Sequence, residues 1–257
     1  GRLRDALKAY EKAIAVQPDY AEAYSNMGNT FKELGKFKEA IESYNKALLI
    51  EPNFADAYFN MGVVLNEQGN LHEALNAYNK ALSFKSDYAE AYNNIGNTLR
   101  ELENLPEAIE AYCKSLEFKP DYIEAYNNMG NTYQKQGNLD KAMGSYNSAL
   151  KFKSDYAEAW INGADTLEKW NKLDQLTIWL KEAYKNFKIL PSDILYFQCK
   201  LLWRKKEYKE VSKLILSIDS ETISDVRKQG FLNLKAKYFD LSKDFDEYNA
   251  AKIEGWG

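Results

Sequence analysis

The chain has one histidine in 257 residues, two cysteines, five prolines and thirteen glycines. Each shortage excludes something. His72 stands alone and Cys113 and Cys199 lie far apart, so no nucleophile–base pair is in evidence, since such pairs need partners within reach. The same residues show no metal-ligand spacing, and no glycine-rich loop is present to cradle a phosphate. Neither catalysis nor a cofactor is therefore expected. Two separated cysteines form no disulfide framework, which fits a reducing, cytoplasmic compartment. No apolar run approaches the length of a membrane span, and the first residues do not read as a signal peptide. The balance of 34 basic against 38 acidic residues, net −4, lacks the cationic surplus that nucleic acid or an anionic membrane surface requires. Strand-like alternation is missing as well.

Apolar residues instead recur at intervals of three and four almost throughout, so the class is all-α. The strongest signal is a period of 34. "AYSNMGNT" at Ala23 returns as "AYFNMGVV" at Ala57, "AYNNIGNT" at Ala91, "AYNNMGNT" at Ala125 and "AWINGADT" at Ala159. A turn precedes each copy: "QPDYAEAY" at Gln17, "EPNFADAY" at Glu51, "KSDYAEAY" at Lys85, "KPDYIEAY" at Lys119 and "KSDYAEAW" at Lys153. One such unit buries too little surface alone, and stacked neighbours close the core. At about 100° per residue, the fourth, seventh, eighth and eleventh positions share one helix stripe.

Those letters carry a family resemblance. Tyr24, Met27, Gly28, Phe31, Ala40, Tyr44, Ala47 and Pro52 match the tetratricopeptide repeat, or TPR, pattern of W-x₂-L-G-x₂-Y, A-x₃-F and P. The next copies read Tyr58-Met61-Gly62-Leu65-Ala74-Tyr78, Tyr92-Ile95-Gly96-Leu99-Ala108-Tyr112 and Tyr126-Met129-Gly130-Tyr133-Ala142-Tyr146. The resemblance implies a right-handed superhelical α-solenoid of TPR helix hairpins. In that reading Gly28, Gly62, Gly96 and Gly130 admit a closely packed second helix, and Ala40, Ala74, Ala108 and Ala142 are its small counterparts. Gly35, Gly69 and Gly137 suit a helix end with positive φ. Asp19-x-x-Glu22, Asp87-x-x-Glu90, Asp121-x-x-Glu124 and Asp155-x-x-Glu158 read as capping boxes with Asp in place of Ser or Thr.

The expected organisation follows the repeat. Residues 1–20 form the second half of a truncated repeat, 21–156 four regular repeats, 157–190 a degenerate fifth repeat and 191–257 irregular C-terminal helical hairpins. A start in mid-repeat without Met reads as a piece of something longer. In the fifth copy Gly163 falls one place early and Leu176 replaces the small alanine. "ILYFQCKLLWRKKEYKEV" (194–211) and "FLNLKAKYFDLSKDFDEY" (231–248) each read as a helical hairpin. All five tryptophans lie at or beyond Trp160, and Trp170, Trp179, Trp203 and Trp256 either pack the irregular repeats or form an apolar face for a missing domain or second subunit. His72 sits where other copies have Lys38, Pro106 and Asp140, and Cys113 where they have Asn45, Asn79 and Asn147. Both are therefore expected on the surface.

Asparagine at the sixth position in all five copies needs another explanation, because its amide competes with the helix backbone for hydrogen bonds. Asn26, Asn60, Asn94, Asn128 and Asn162 point away from the core stripe, with the second, ninth and thirteenth positions beside them. In the family that face lines the inner groove, and the pattern is similar to the asparagine-lined repeats of O-linked N-acetylglucosamine transferases and armadillo-type transport receptors. An amide offers a donor and an acceptor, which suits the main chain of an extended peptide. Asn26, Asn60, Asn94, Asn128 and Asn162, with Asn29, Asn97 and Asn131, are thus the candidate peptide-binding residues. Mutual bonding that stiffens the spiral is the other reading. The acidic second positions likewise suit either capping or ligand contact. A clamp for chaperone C-terminal tails is disfavoured, because those positions are acidic here and the fifth are Ser25, Phe59, Asn93, Asn127 and Ile161. The expected function is a non-catalytic protein- or peptide-binding scaffold. The alternative is the substrate-presenting arm of a larger glycosyl- or sulfotransferase, and a homo-oligomer or a missing C-terminal domain remains open.

Overall fold

A computed structural model describes residues 2–238 and resolves them into two compact units, meeting in sequence at Gln136 and Gly137. The first unit contains α1 (Arg2–Val16), α2 (Ala21–Glu33), α3 (Phe37–Ile50), α4 (Ala55–Glu67), α5 (Leu71–Phe84), α6 (Ala89–Glu101), α7 (Leu105–Phe118) and α8 (Ile123–Lys135). The second contains α9 (Leu139–Phe152), α10 (Ala157–Lys169), α11 (Leu173–Asn186), α12 (Ser192–Arg204) and α13 (Tyr208–Ser217). A 3₁₀ turn at Ser220–Thr222 and helical residues 225–238 follow. Among the described residues there is no strand.

In the first unit α2 packs on α3, α4 on α5 and α6 on α7, while α1 covers α2 and α8 covers α7. Glycine permits this closeness through a tyrosine. A Cβ on Gly28 would lie 2.5 Å from Cε1 of Tyr44, one on Gly62 2.6 Å from Tyr78, and one on Gly96 2.5 Å from Tyr112. These are steric clashes, so each ring lies flat in the space that a side chain would fill. Tyr44, Tyr78 and Tyr112 are almost wholly buried, beside Ala40, Ala74 and Ala108. The glycines were expected to face another helix's small residues. The ring sixteen residues further on is the true partner.

Gly35, Gly69 and Gly137 have φ of 70°, 78° and 80° as expected, and the left-handed turn persists at Glu103 and Asn171 without glycine. Helix starts depart from expectation. The residue before each first helix is Tyr20, Phe54, Tyr88, Tyr122 or Tyr156, and none makes a side-chain cap bond. Asp19, Asp87, Asp121 and Asp155 stand one place too early to cap, so the capping-box reading is wrong. The turn closes on its own main chain, with Tyr20 N–H donating to Gln17 C=O and Ala23 N–H to Tyr20 C=O. That frees the boundary position for an aromatic ring. Asn138 caps α9, accepting from the Lys141 N–H at 3.2 Å.

In the second unit Gly163 pairs with Trp179, whose Cε2 lies 2.6 Å from the position of a Gly163 Cβ. The spacing is again sixteen. Glycine and ring have both moved one place early, so what reads as decay in the sequence is a compensated register shift. Trp179 Nε1–H donates to the Trp160 C=O at 2.8 Å, and the two indoles lie 4.7 Å apart. Beyond them Tyr196, Cys199, Val211, Ile215, Phe231 and Leu234 form a second core, with Trp203 packed against it. Trp160, Trp179 and Trp203 are thus packing residues, while Trp170 ends α10. Asp193, 8% exposed, accepts from Ser224 Oγ–H at 2.7 Å and from Arg227, tying α12 to the last described helix. Trp256 and the second half of the hairpin expected at 231–248 lie outside the described residues.

Candidate peptide-binding groove

In the first unit α2, α4, α6 and α8 place the sixth-position Asn26, Asn60, Asn94 and Asn128 on one face, and in the second unit α10 carries Asn162. Asn26 is exposed, and Asn60, Asn94, Asn128 and Asn162 are half-buried. Helix backbone at these positions is engaged from within: Thr30, Thr98, Thr132 and Thr166 each donate a hydroxyl to the carbonyl of the sixth residue, at 2.7–2.9 Å. The amide side chains are therefore what distinguishes one copy from another.

Two different fates follow. Asn128 Nδ2–H donates to Asn93 Oδ1 at 3.1 Å, and Asn93 Nδ2–H to Asn94 Oδ1 at 3.4 Å. Asn94 also lies beside the phenol of Tyr78, where it works against the upward shift that burial imposes. This stretch is a partly buried polar chain that links the third and fourth regular repeats. Asn26 and Asn60, in contrast, make no side-chain hydrogen bond among the described residues. They line a cavity of about 490 Å³ with Glu22, Ser25, Asn29, Phe54, Asp56, Lys85, Tyr88 and Glu90. The ninth-position residues have a structural partner as well. Asn29 Oδ1 accepts from Tyr44 Oη–H and Asn97 Oδ1 from Tyr112 Oη–H, both at 2.8 Å. Each satisfies the hydroxyl of the ring that fills its glycine notch through its oxygen, so the amide nitrogen takes no part in that bond. Asn131 is half-buried at the matching place in α8.

The electrostatics of the face are acidic. Burial tends to raise the Glu90 carboxyl, but a 3.0 Å bond from Lys119 Nζ outweighs it and holds the group below its usual range. Tyr88 is pushed upward by burial first and then by the neighbouring Asp56 carboxylate. Burial also raises Tyr44 and Tyr78, with Glu67 adding to both. Glu22 has no cationic partner among the described residues.

Ser25, Phe54, Lys85 and Tyr88 were missed as groove residues by reasoning from the face alone. The available signal was polar Ser25 and Asn93 at a fifth position that is buried, at 4% exposure each. His72 and Cys113 are exposed and Cys199 is buried. Among the described residues no helix is long and apolar enough to cross a membrane.

Comparison with known proteins agrees with the geometry. The family model described as "TPR repeat" matches residues 1–35, 28–69, 64–100 and 96–137, and that described as "Tetratricopeptide repeat" matches 123–156. The chain belongs to the tetratricopeptide repeat family, and its fold is an all-α solenoid of TPR hairpins. No curated protein matches it. Among solved structures it is similar to MamA, at 29% identity and a TM-score of 0.55 over 61% of this chain and 91% of that one. YrrB, titled a TPR protein with an unusual peptide-binding site, is 24% identical with a TM-score of 0.59 over 78% and 99% of the two chains. PilF of Pseudomonas aeruginosa is 20% identical with a TM-score of 0.66 over 83% and 96%.

Proposed function

We propose that the chain is a non-catalytic scaffold that holds an extended segment of a partner protein in the groove of its first unit. The observation that carries this reading is the pair Asn26 and Asn60. Their amides line a cavity, yet have no hydrogen bond within the described chain. A helix-interior asparagine without a partner costs helix propensity, and a peptide main chain offers the donor and acceptor it lacks. Family membership supports the protein-binding class. Asn29 and Asn97 contribute an amide nitrogen each while their oxygens anchor tyrosines. Asn94, Asn128 and Asn131 extend the same face within the first unit, though Asn94 and Asn128 must give up internal bonds to meet a ligand. Asn162 holds the equivalent sixth position in the second unit. The free, exposed Cys113 thiol suits a reducing cytoplasm, and the net charge of −4 gives no basis for nucleic-acid binding. No observation favours the transferase-arm alternative.

The test is binding of peptides selected by the full chain from a randomised octapeptide display library. Asn26→Ala with Asn60→Ala is expected to leave the melting temperature near wild type and weaken the selected peptides about tenfold, since each lost amide removes bonds of about 0.5–1.5 kcal/mol net. Asn94→Ala with Asn128→Ala is expected to lower the melting temperature. Unchanged affinity in the first double variant sinks the groove reading.

A further inference from the structure

Successive repeats differ at one point beside the groove. At the third copy Lys85 follows α5 and holds its Nζ 4.0 Å from the centre of the Tyr88 ring. At the fourth, Lys119 sits 4.5 Å over Tyr122 and bonds Glu90, the second-position acid of the preceding first helix, at 3.0 Å. The chain thus builds an ammonium seat from an aromatic boundary residue and a carboxylate, and occupies it with its own lysine. At the second copy the corresponding three residues are Glu51, Phe54 and Glu22. The backbone is unchanged: φ and ψ are −125° and 89° at Glu51, −135° and 86° at Lys85, and −137° and 83° at Lys119. A glutamate therefore replaces the lysine on the same scaffold.

The ring and the acid remain there without their cation. Phe54 and Glu22 both line the cavity, and Glu22 has no ion pair among the described residues. Lys119 bonds Glu90 at the far end and the Lys85 charge also acts on it, whereas Glu22 and Glu51 have no ion pair among the described residues. Ser25 supplies a second, independent sign. It is 96% buried by its 4% exposure, lines this cavity, and has no hydrogen-bond partner among the described residues. Its hydroxyl keeps contact with the cavity rather than being sealed in protein.

We infer that the groove selects extended peptides bearing a lysine or arginine, whose cation takes the place at Phe54 and Glu22 that Lys85 and Lys119 take at the following copies. This rests on the peptide-groove reading above and names the side chain that such a peptide carries. The main chain would pass Asn26 and Asn60, and Ser25 would serve a polar atom beside the seat. A cation over an aromatic face next to a carboxylate gains from both, and more so when partly desolvated.

The library selection gives the test, with Glu51→Lys as the informative variant. It installs lysine in a position where three other copies, at Lys85, Lys119 and Lys153, already have one, so it is expected to fold and melt like wild type or slightly higher. Wild type is expected to enrich Lys or Arg at one library position. Replacing that residue by norleucine, or installing Glu51→Lys, is expected to weaken binding about tenfold, while the Asn26→Ala and Asn60→Ala effect persists. Selected peptides with no basic position that still depend on Asn26 and Asn60 would overturn the inference and leave the groove reading standing. Selected peptides indifferent to Asn26 and Asn60, or no enrichment at all, would overturn both. Basic peptides that bind Glu51→Lys as tightly as wild type would place the cation elsewhere and end the proposal.

Discussion

The two units solve the same packing problem with different side chains. Residues 2–136 use tyrosine against glycine at three successive hairpins, with the phenols of Tyr44 and Tyr112 each bonded to a ninth-position asparagine. The second unit uses Trp179 against Gly163 and satisfies the indole N–H with a main-chain carbonyl. Position within the 34-residue frame differs by one, yet the spacing from notch to ring does not. What the repeat conserves physically is a missing Cβ opposite a flat ring, with a partner for the ring's polar edge. The frame can slip if both members slip together.

Steric substitution is the strongest way to break this comparison. Gly96→Leu and Gly163→Leu are each expected to cost about 3 kcal/mol, the upper range for overpacking, because a ring must leave its notch. Paired thermal melts check this. A loss at Gly96 alone would mean that the Trp179 arrangement is not equivalent. Gly144 is the control, since no atom lies within 4 Å of its Cβ position. Gly144→Ala is expected to stabilise by up to about 1 kcal/mol, as alanine is the better helix former.

Removing the polar partner should cost less than filling the notch. Asn29→Ala leaves the Tyr44 hydroxyl without its acceptor, and a loss of about 1–3 kcal/mol is expected. Trp179→Phe removes donor and indole edge together and leaves the Trp160 carbonyl unserved, for about 1–2 kcal/mol on the same grounds. If Asn29→Ala melts like wild type, the phenol's bond is dispensable and the ring's packing alone defines the motif.

Ionisation of the same rings gives a pH signature. Burial pushes Tyr112 up to about 12 from an ordinary 10.0, so folding favours its neutral phenol. The sign follows: this stabilisation is fully present below the unfolded value of about 10 and is lost as pH rises from there through the folded value. Tyrosinate absorbance should therefore rise together with loss of helical ellipticity. Titration of all nineteen tyrosines, the notch rings included, before any helix melts would show that the notch rings are not held neutral by the fold.

The smallest expected effect concerns a helix end. Glu103 adopts φ of 60° where Gly35, Gly69 and Gly137 stand in other copies. Glu103→Gly relieves left-handed strain of about 1–2 kcal/mol, partly offset by the greater freedom of glycine in the unfolded chain. It also removes the exposed Lys135 pair at 2.7 Å, which is worth little. A net gain near 0.5 kcal/mol is expected by denaturant titration.

Helix class, repeat period and hairpin pairing were legible in the 34-residue phrase, because apolar periodicity and glycine placement are local properties that each copy restates. So were the glycine helix ends, and the outward face of the asparagines. The capping boxes were misread because Asp19 and its counterparts lie one residue outside the helix, a distinction that depends on how the turn's main chain closes. Gly163 was legible as one place early, but its partner was not, because its meaning lies in Trp179 and a pair can be judged only when both members are seen together. The ladder was the hardest case. Five asparagines in one register are identical in sequence, yet Asn94 and Asn128 are bound into a chain through Asn93 while Asn26 and Asn60 are left open to a cavity. The fifth-position neighbour and the facing helix decide that, and those are brought together only by tertiary packing.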